Sequence, residues 1–202
     1  MALINPRRKS IFIHLYKTGG SSIRSILGGF EISDTHAPAW LVKRNLANYT
    51  EQDLWGEYFT FVVVRNPYDF VISLYHHLKN QKNHVFGYTS RGTIDEFVKT
   101  LPTLFINSHF HGYTFMAPQW YWVSENDEVI VDEVYRFEAM AEVYKDLAER
   151  IGTDPEGGFV NVSKTRERNV PYTEVFSLPA IDIINKVYAI DFIKFNYTPI
   201  TL

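Results

Sequence analysis

The chain of 202 residues contains no cysteine. That excludes a disulfide framework, a thiolate metal site and a cysteine nucleophile, and it suits a reducing compartment. Long apolar runs are missing too, and no segment approaches the length of a membrane span. An excess of positive charge is also lacking. Twenty Lys and Arg stand against 23 Asp and Glu, a net charge of −3, so no basic field marks a general nucleic-acid binder. Any anion site must therefore be built locally. The N-terminal stretch MALINPRRKSIFIHLY has basic residues, but its apolar run is too short for a signal segment and is interrupted by His14. Internal repeats, low-complexity tracts and a linker are all absent. The expectation is one cytoplasmic domain over 1–202; oligomeric state is silent.

What is present is a core. Apolar residues make up 46% of the chain and aromatic residues 16%, enough to bury a substantial interior at this length. Some of the Tyr and Trp suit sugar or nucleobase pockets instead. SIFIHLY (10–16) reads as a buried strand and SSIRSILGGF as a helix ending at Gly28–Gly29. YFTFVVVRNP (58–67) is a second strand, apolar nearly throughout, as when both faces are covered. Helical spacing follows in YDFVISLYHHLKNQ (68–81), and TIDEFVKTL (93–101) opens with Thr93 and Glu96 as a capping box. Residues 83–92 read as a surface loop, and 103–127 are aromatic-rich without a clear period. EVIVDEVYRF (128–137) reads as one or two strands. EAMAEVYKDLAERIG (138–152) is an amphipathic helix closed by Gly152, and 178–197 is largely helical from Pro179. Strands alternating with helices imply an α/β fold with a parallel sheet.

The chemistry concentrates in HLYKTGGSSI (14–23). A Gly/Ser loop between a strand and a helix exposes backbone N–H groups where the helix dipole adds positive character. Gly19 and Gly20 let the backbone curl around an oxyanion, Lys17 adds a full charge, and Ser21 and Ser22 add hydroxyls. The nucleotide-triphosphate pattern G-x-x-x-x-G-K-[ST] does not fit, because here the lysine precedes the glycines. FIHLYKTGGSSI instead resembles the phosphosulfate loop of sulfotransferases that use PAPS (3′-phosphoadenosine 5′-phosphosulfate). The nearest pattern is that of the carbohydrate, heparan 2-O-type branch and its bacterial relatives, roughly I-P-K-T-G-G-T-S. Tyr16 replaces the usual proline and Ser21 the usual threonine.

A second segment, VVVRNPYDFVISLY (62–75), resembles the same family's 3′-phosphate motif. Arg65 stands at the end of a strand, where α/β sheets bind ligands, and a guanidinium grips phosphate bidentately. Ser73 shares a helix face with Asp69. Phe70 takes a place where the family often has arginine. From the residues alone, an Arg65–Asp69 pair bracing the junction competes with this reading. VYRFEAMAEVYKDLAERIG (134–152) resembles the family's R-F-E-x-[LM] segment, and Lys164, Thr165 and Arg166 fall where relatives carry a basic loop over the nucleotide.

The resemblance implies a three-layer, P-loop-like α/β fold with a central parallel sheet flanked by helices. It implies transfer of a sulfuryl group from PAPS to a hydroxyl or amine of a carbohydrate or small molecule, leaving PAP (3′,5′-adenosine bisphosphate). Lys17, Thr18, Gly19, Gly20, Ser21 and Ser22 would hold the 5′-phosphosulfate. Arg65 and Ser73, helped by Lys164, Thr165 and Arg166, would hold the 3′-phosphate. His36, placed between the two motifs as the relatives place a catalytic histidine, would be the base, and Lys17 would also assist the leaving group. No metal is required. Glu138 is an alternative base, and His14 a packing residue beside the loop. His76 and His77 face different ways on a helix and make a poor metal pair. His109 and His111, with Tyr113, Trp120 and Tyr121, suit an acceptor cleft or loop packing. Two alternatives stay open: a Mg2+–ATP small-molecule kinase, and a non-catalytic anion- or glycan-binding module.

Overall fold

A computed structural model of the chain describes residues 2–31, 36–80, 92–111, 116–154 and 170–201. The chain divides into two compact units, residues 1–65 with 119–162, and residues 66–118 with 163–202.

The first unit is built on a five-stranded sheet. Its strands are β1 (Ala2–Asn5), β2 (Ser10–Ile13), β3 (Phe30–Glu31), β4 (Phe59–Val64) and, later in the chain, Glu133–Arg136. Two short strands intervene, β5 (Ser124–Glu125) and β6 (Glu128–Val129), which form a separate hairpin, so the last strand of the main sheet is β7. The order is β3-β1-β2-β4-β7. β2, β4 and β7 are parallel neighbours, whereas β1 runs antiparallel to both β2 and β3. The expectation of a parallel sheet therefore holds for its centre and needs correction at β1. That strand comes from MALIN, only a few residues long. It is nonetheless fully recruited, with Ala2, Leu3 and Ile4 at most 3% exposed. Its hairpin closes through PRRK, where the Arg8 N–H donates to Asn5 Oδ1 at 3.0 Å and Lys9 takes a left-handed φ of 45°.

β4 is buried on both faces; Phe61, Val62, Val63 and Val64 are all inaccessible. One face, carrying Leu3, Phe12, Phe61 and Val63, packs against α1 (Gly20–Leu27) and α7 (Met140–Ile151) through Ile23, Ile26, Leu27, Val143, Tyr144 and Leu147. Each such buried aliphatic side chain contributes about 1.5–3 kcal/mol. The β4–β7 register is pinned at its start. Asp132 Oδ2 accepts from the Thr60 N–H at 2.7 Å and the Thr60 hydroxyl at 2.8 Å, and the Asp132 N–H donates to the Thr60 carbonyl at 3.0 Å. Gly152 closes α7 in the left-handed conformation, as the sequence predicts. The unit also holds α2 (Ala39–Tyr49), α3 (Leu54–Glu57) and α6 (Trp120–Val123). Asp53 caps α3 by accepting from the Gly56 N–H at 3.0 Å.

The second unit is helical among its described residues: α4 (Pro67–Asn80), α5 (Ile94–His111), α8 (Tyr172–Val175), α9 (Leu178–Val187) and α10 (Ala189–Lys194). The predicted capping box forms, with the Thr93 N–H donating to Glu96 Oε2 at 2.6 Å and the Glu96 N–H to the Thr93 hydroxyl at 3.3 Å. Helix α5 runs through Pro102, well past the residue 101 that the sequence suggests as its end. The stretch 178–197 is largely helical, as expected, in two helices divided at Tyr188, whose fully buried hydroxyl donates to the Met116 carbonyl at 2.9 Å. The tail is tied down through Tyr68. Its hydroxyl hydrogen-bonds Asn185 and accepts from the Ile200 N–H at 2.9 Å, while Asn185 Nδ2 donates to the Ile200 carbonyl. No helix among the described residues is long and apolar enough to cross a membrane.

Candidate active site

The parallel register of β2, β4 and β7 delivers three side chains to one edge of the sheet. Lys17 follows β2, Arg65 follows β4, and Phe137 follows β7. This is the edge at which open α/β sheets bind ligands, beyond the carboxyl ends of the strands.

The loop after β2 is wound by two left-handed residues, Lys17 (φ 59°) and Gly19 (φ 85°). Glycine tolerates this freely; lysine does so at about 1–2 kcal/mol. Gly19 is the N-cap of α1, accepting from the Ser22 N–H at 2.9 Å and the Ile23 N–H at 3.3 Å. No side chain caps α1, and its first turn carries no acid. Its leading amides and positive dipole end are thus left to satisfy an anion. The two glycines are also needed for space. A Cβ at Gly19 would sit 2.9 Å from Phe137 Cε2, and one at Gly20 would fall among the atoms of the His14 ring.

Arg65 lies against the same loop. Its Nη1 donates to the Lys17 carbonyl at 3.1 Å, and its guanidinium stacks over the Phe137 ring at 4.3 Å. Its main chain is gripped by Gln119, which is 1% exposed. The Arg65 N–H donates to Gln119 Oε1 at 2.8 Å, and Gln119 Nε2 donates to the Arg65 carbonyl at 2.7 Å. The side-chain amide thus replaces a strand partner just where β4 ends. Burial, and then the charge of Arg65, push the Lys17 ammonium below its ordinary value. Two cations held together in a partly dry site are stabilised by an anionic ligand.

His36, from the segment preceding α2, packs against the start of the same loop. Its Nδ1 is 2.6 Å from the His14 carbonyl oxygen, and its ring stacks on Tyr16 with centroids 3.6 Å apart. The His14 ring also meets it edge-on, with centroids 4.7 Å apart. Burial, then the charges of His36, the N-terminus and Arg24, lower His14 to about 3, so it is neutral and packs as predicted.

The remaining predicted residues lie as follows. Thr18 is fully buried with its hydroxyl donating to the Leu15 carbonyl at 3.3 Å, so only its backbone can serve a ligand. Ser21 is exposed on the first turn of α1. The Ser22 hydroxyl is hydrogen-bonded to Tyr144 of α7, which ties loop to helix. Ser73, in the second unit, is 8% exposed on α4. Asp69 there accepts from the Tyr172 hydroxyl at 3.0 Å. Glu138 is exposed in the 3-10 turn Phe137–Ala139. Lys164, Thr165, Arg166 and Tyr113 lie outside the described residues, as do the side chains of His109 and His111. Among the described residues no cluster of three His, Cys, Asp or Glu is placed to hold a metal ion. A cavity of about 670 Å3 lies elsewhere, between the β1–β2 turn and the end of α1. Arg8 in its wall is spent on the Ile151 carbonyl at 2.8 Å. Sequence reasoning gave no role to Gln119 or Phe137. Gln119 had no local signal, being 54 positions from Arg65; Phe137 stood inside the RFEAM segment and was detectable there.

This geometry agrees with what comparison finds. The model of the sulfotransferase family matches residues 1–198. The chain belongs to that family, and its mixed α/β sheet flanked by helices fits the P-loop-like fold. No curated protein and no solved structure is significantly similar to it.

Proposed function

We propose that the protein is a PAPS-dependent sulfotransferase acting on a hydroxyl or amine of a carbohydrate or small molecule. The observation that carries this reading is the convergence of Lys17 and Arg65 on the uncapped N-terminus of α1. Two cations and the loop amides, at a helix start whose first turn carries no acid, suit a ligand with separated phosphate and phosphosulfate groups. When bound, PAPS supplies a sulfuryl group whose bond to the phosphate oxygen breaks, with its electron pair, as the acceptor oxygen or nitrogen bonds to sulfur.

Lys17 and the loop amides neutralise the charge that develops on the departing phosphate oxygen. Arg65 holds the 3′-phosphate. Ser73, Lys164, Thr165 and Arg166 keep the roles that the family resemblance gives them. His36 takes the acceptor's proton. Its Nδ1 faces a carbonyl, which only accepts, so Nδ1 carries hydrogen and the neutral ring presents its lone pair at Nε2.

Thermal denaturation with PAP, without metal, is the test. At a hundredfold excess over its Kd, PAP adds about 2.7 kcal/mol of stability. Stabilisation by ATP–Mg2+ alone would replace this reading with a kinase, and stabilisation by a sulfated glycan alone with a binding module. Lys17→Ala is expected to lose turnover at least a hundredfold while remaining folded.

A further inference from the structure

Position 16 is one of two places where the loop departs from the family pattern, with tyrosine in place of proline. That ring is half-buried. It lies on His36 with centroids 3.6 Å apart and planes inclined by 28°, and it meets the buried Trp122 edge-on at 6.1 Å. Burial pushes the Tyr16 phenol up, so it stays neutral beside the imidazole. His36 is thus fastened twice to a single three-residue segment, by a hydrogen bond to the main chain of residue 14 and by the ring of residue 16. The next residue is Lys17.

We propose that Tyr16 is a positioning residue for the base: the His14 carbonyl fixes the tautomer of His36, and the Tyr16 ring fixes the plane of its imidazole. The proposal rests on the reading of His36 as the group that takes the acceptor's proton. A hydrogen bond at one ring nitrogen fixes a direction but not a plane. A stacked aromatic face removes that freedom, and its electron-rich surface also favours the imidazolium formed when Nε2 accepts a proton. Because the base and the leaving-group lysine are both set by residues 14–17, any distortion of the loop moves them together.

The experiment compares Tyr16→Phe and Tyr16→Leu in the full chain, with 15N-histidine NMR for the His36 tautomer, PAP thermal shift for the donor site, and steady-state kinetics. Tyr16→Phe keeps the ring, so His36 should remain Nδ1–H and kcat should stay within about threefold of wild type. Tyr16→Leu should leave His36 as Nδ1–H, because the His14 carbonyl still sets the tautomer, but should abolish the ring-current displacement of its carbon-bound protons and lower kcat about tenfold, with the donor KM and the PAP shift unchanged. The proposal is overturned if Tyr16→Leu leaves kcat as in wild type, or if Tyr16→Phe is as impaired as Tyr16→Leu. Should Tyr16→Leu fail to fold, the wild-type spectrum decides: a His36 hydrogen on Nε2, or no ring-current displacement of its carbon-bound protons, sinks the proposal. If wild type transfers no sulfuryl group, the functional reading fails by itself, and the ring-current comparison still decides whether Tyr16 sets the plane of His36.

Discussion

Arg65 Nη1 donates a 3.1 Å hydrogen bond to the carbonyl oxygen of Lys17, so the cation that follows β4 holds the backbone of the cation that follows β2. The two segments proposed to bind phosphate are therefore physically joined. Damage at either is felt at the other.

Arg65→Lys should weaken PAP binding about 10- to 100-fold, because an ammonium cannot serve the Lys17 carbonyl, the Phe137 face and a phosphate at once. Titration calorimetry with PAP and with adenosine 5′-monophosphate separates the contributions. A larger loss for PAP assigns Arg65 to the 3′-phosphate. Equal losses would confine it to loop support.

Gly20→Ala should destabilise the fold by about 1–3 kcal/mol through overlap with the His14 ring. Removing that ring in a Gly20→Ala/His14→Ala double variant should recover part of the loss, with a coupling energy of at least about 0.5 kcal/mol in urea melts. Strict additivity would mean that the two residues do not touch.

Acid should expose His14. It titrates at about 3 in the folded chain, against an ordinary value of 6.5. Its contribution is whole above pH 6.5. As pH falls from 6.5 towards 3, the unfolded chain binds a proton that the folded chain refuses, and stability drops. At pH 5 the loss is about 2 kcal/mol from this group. His14→Gln should show a correspondingly shallower decline between pH 7 and pH 5 in denaturant titrations.

Gln119→Leu should cost about 2–4 kcal/mol, since it leaves the N–H and carbonyl of Arg65 without their buried partner. Gln119→Glu should cost less than Leu but more than nothing, because a carboxylate accepts from the N–H yet cannot donate to the carbonyl. Differential scanning calorimetry ranks the three proteins.

The parts legible in the sequence were those written in local pattern. β4 announced itself by an unbroken apolar run, α5 by Thr93 and Glu96, the end of α7 by Gly152, and the loop into α1 by its glycines. β1 escaped because four residues carry no measurable period, and only pairing with β2 makes them a strand. The break at Tyr188 is set by a hydrogen bond to Met116, 72 positions away, which helical periodicity cannot register. The same holds for Gln119 on Arg65 and for Tyr144 on Ser22. The His36 assignment came from family order; its anchoring to residues 14 and 16 is purely tertiary.

The left-handed turn at Lys17 has an evolutionary cost attached. Glycine at that position would relax the backbone, and asparagine nearly so. Either replacement should raise the melting temperature of a protein that no longer works. Selection for robustness alone would push this site away from lysine; with the role proposed for the ammonium, folding and function pull in opposite directions there.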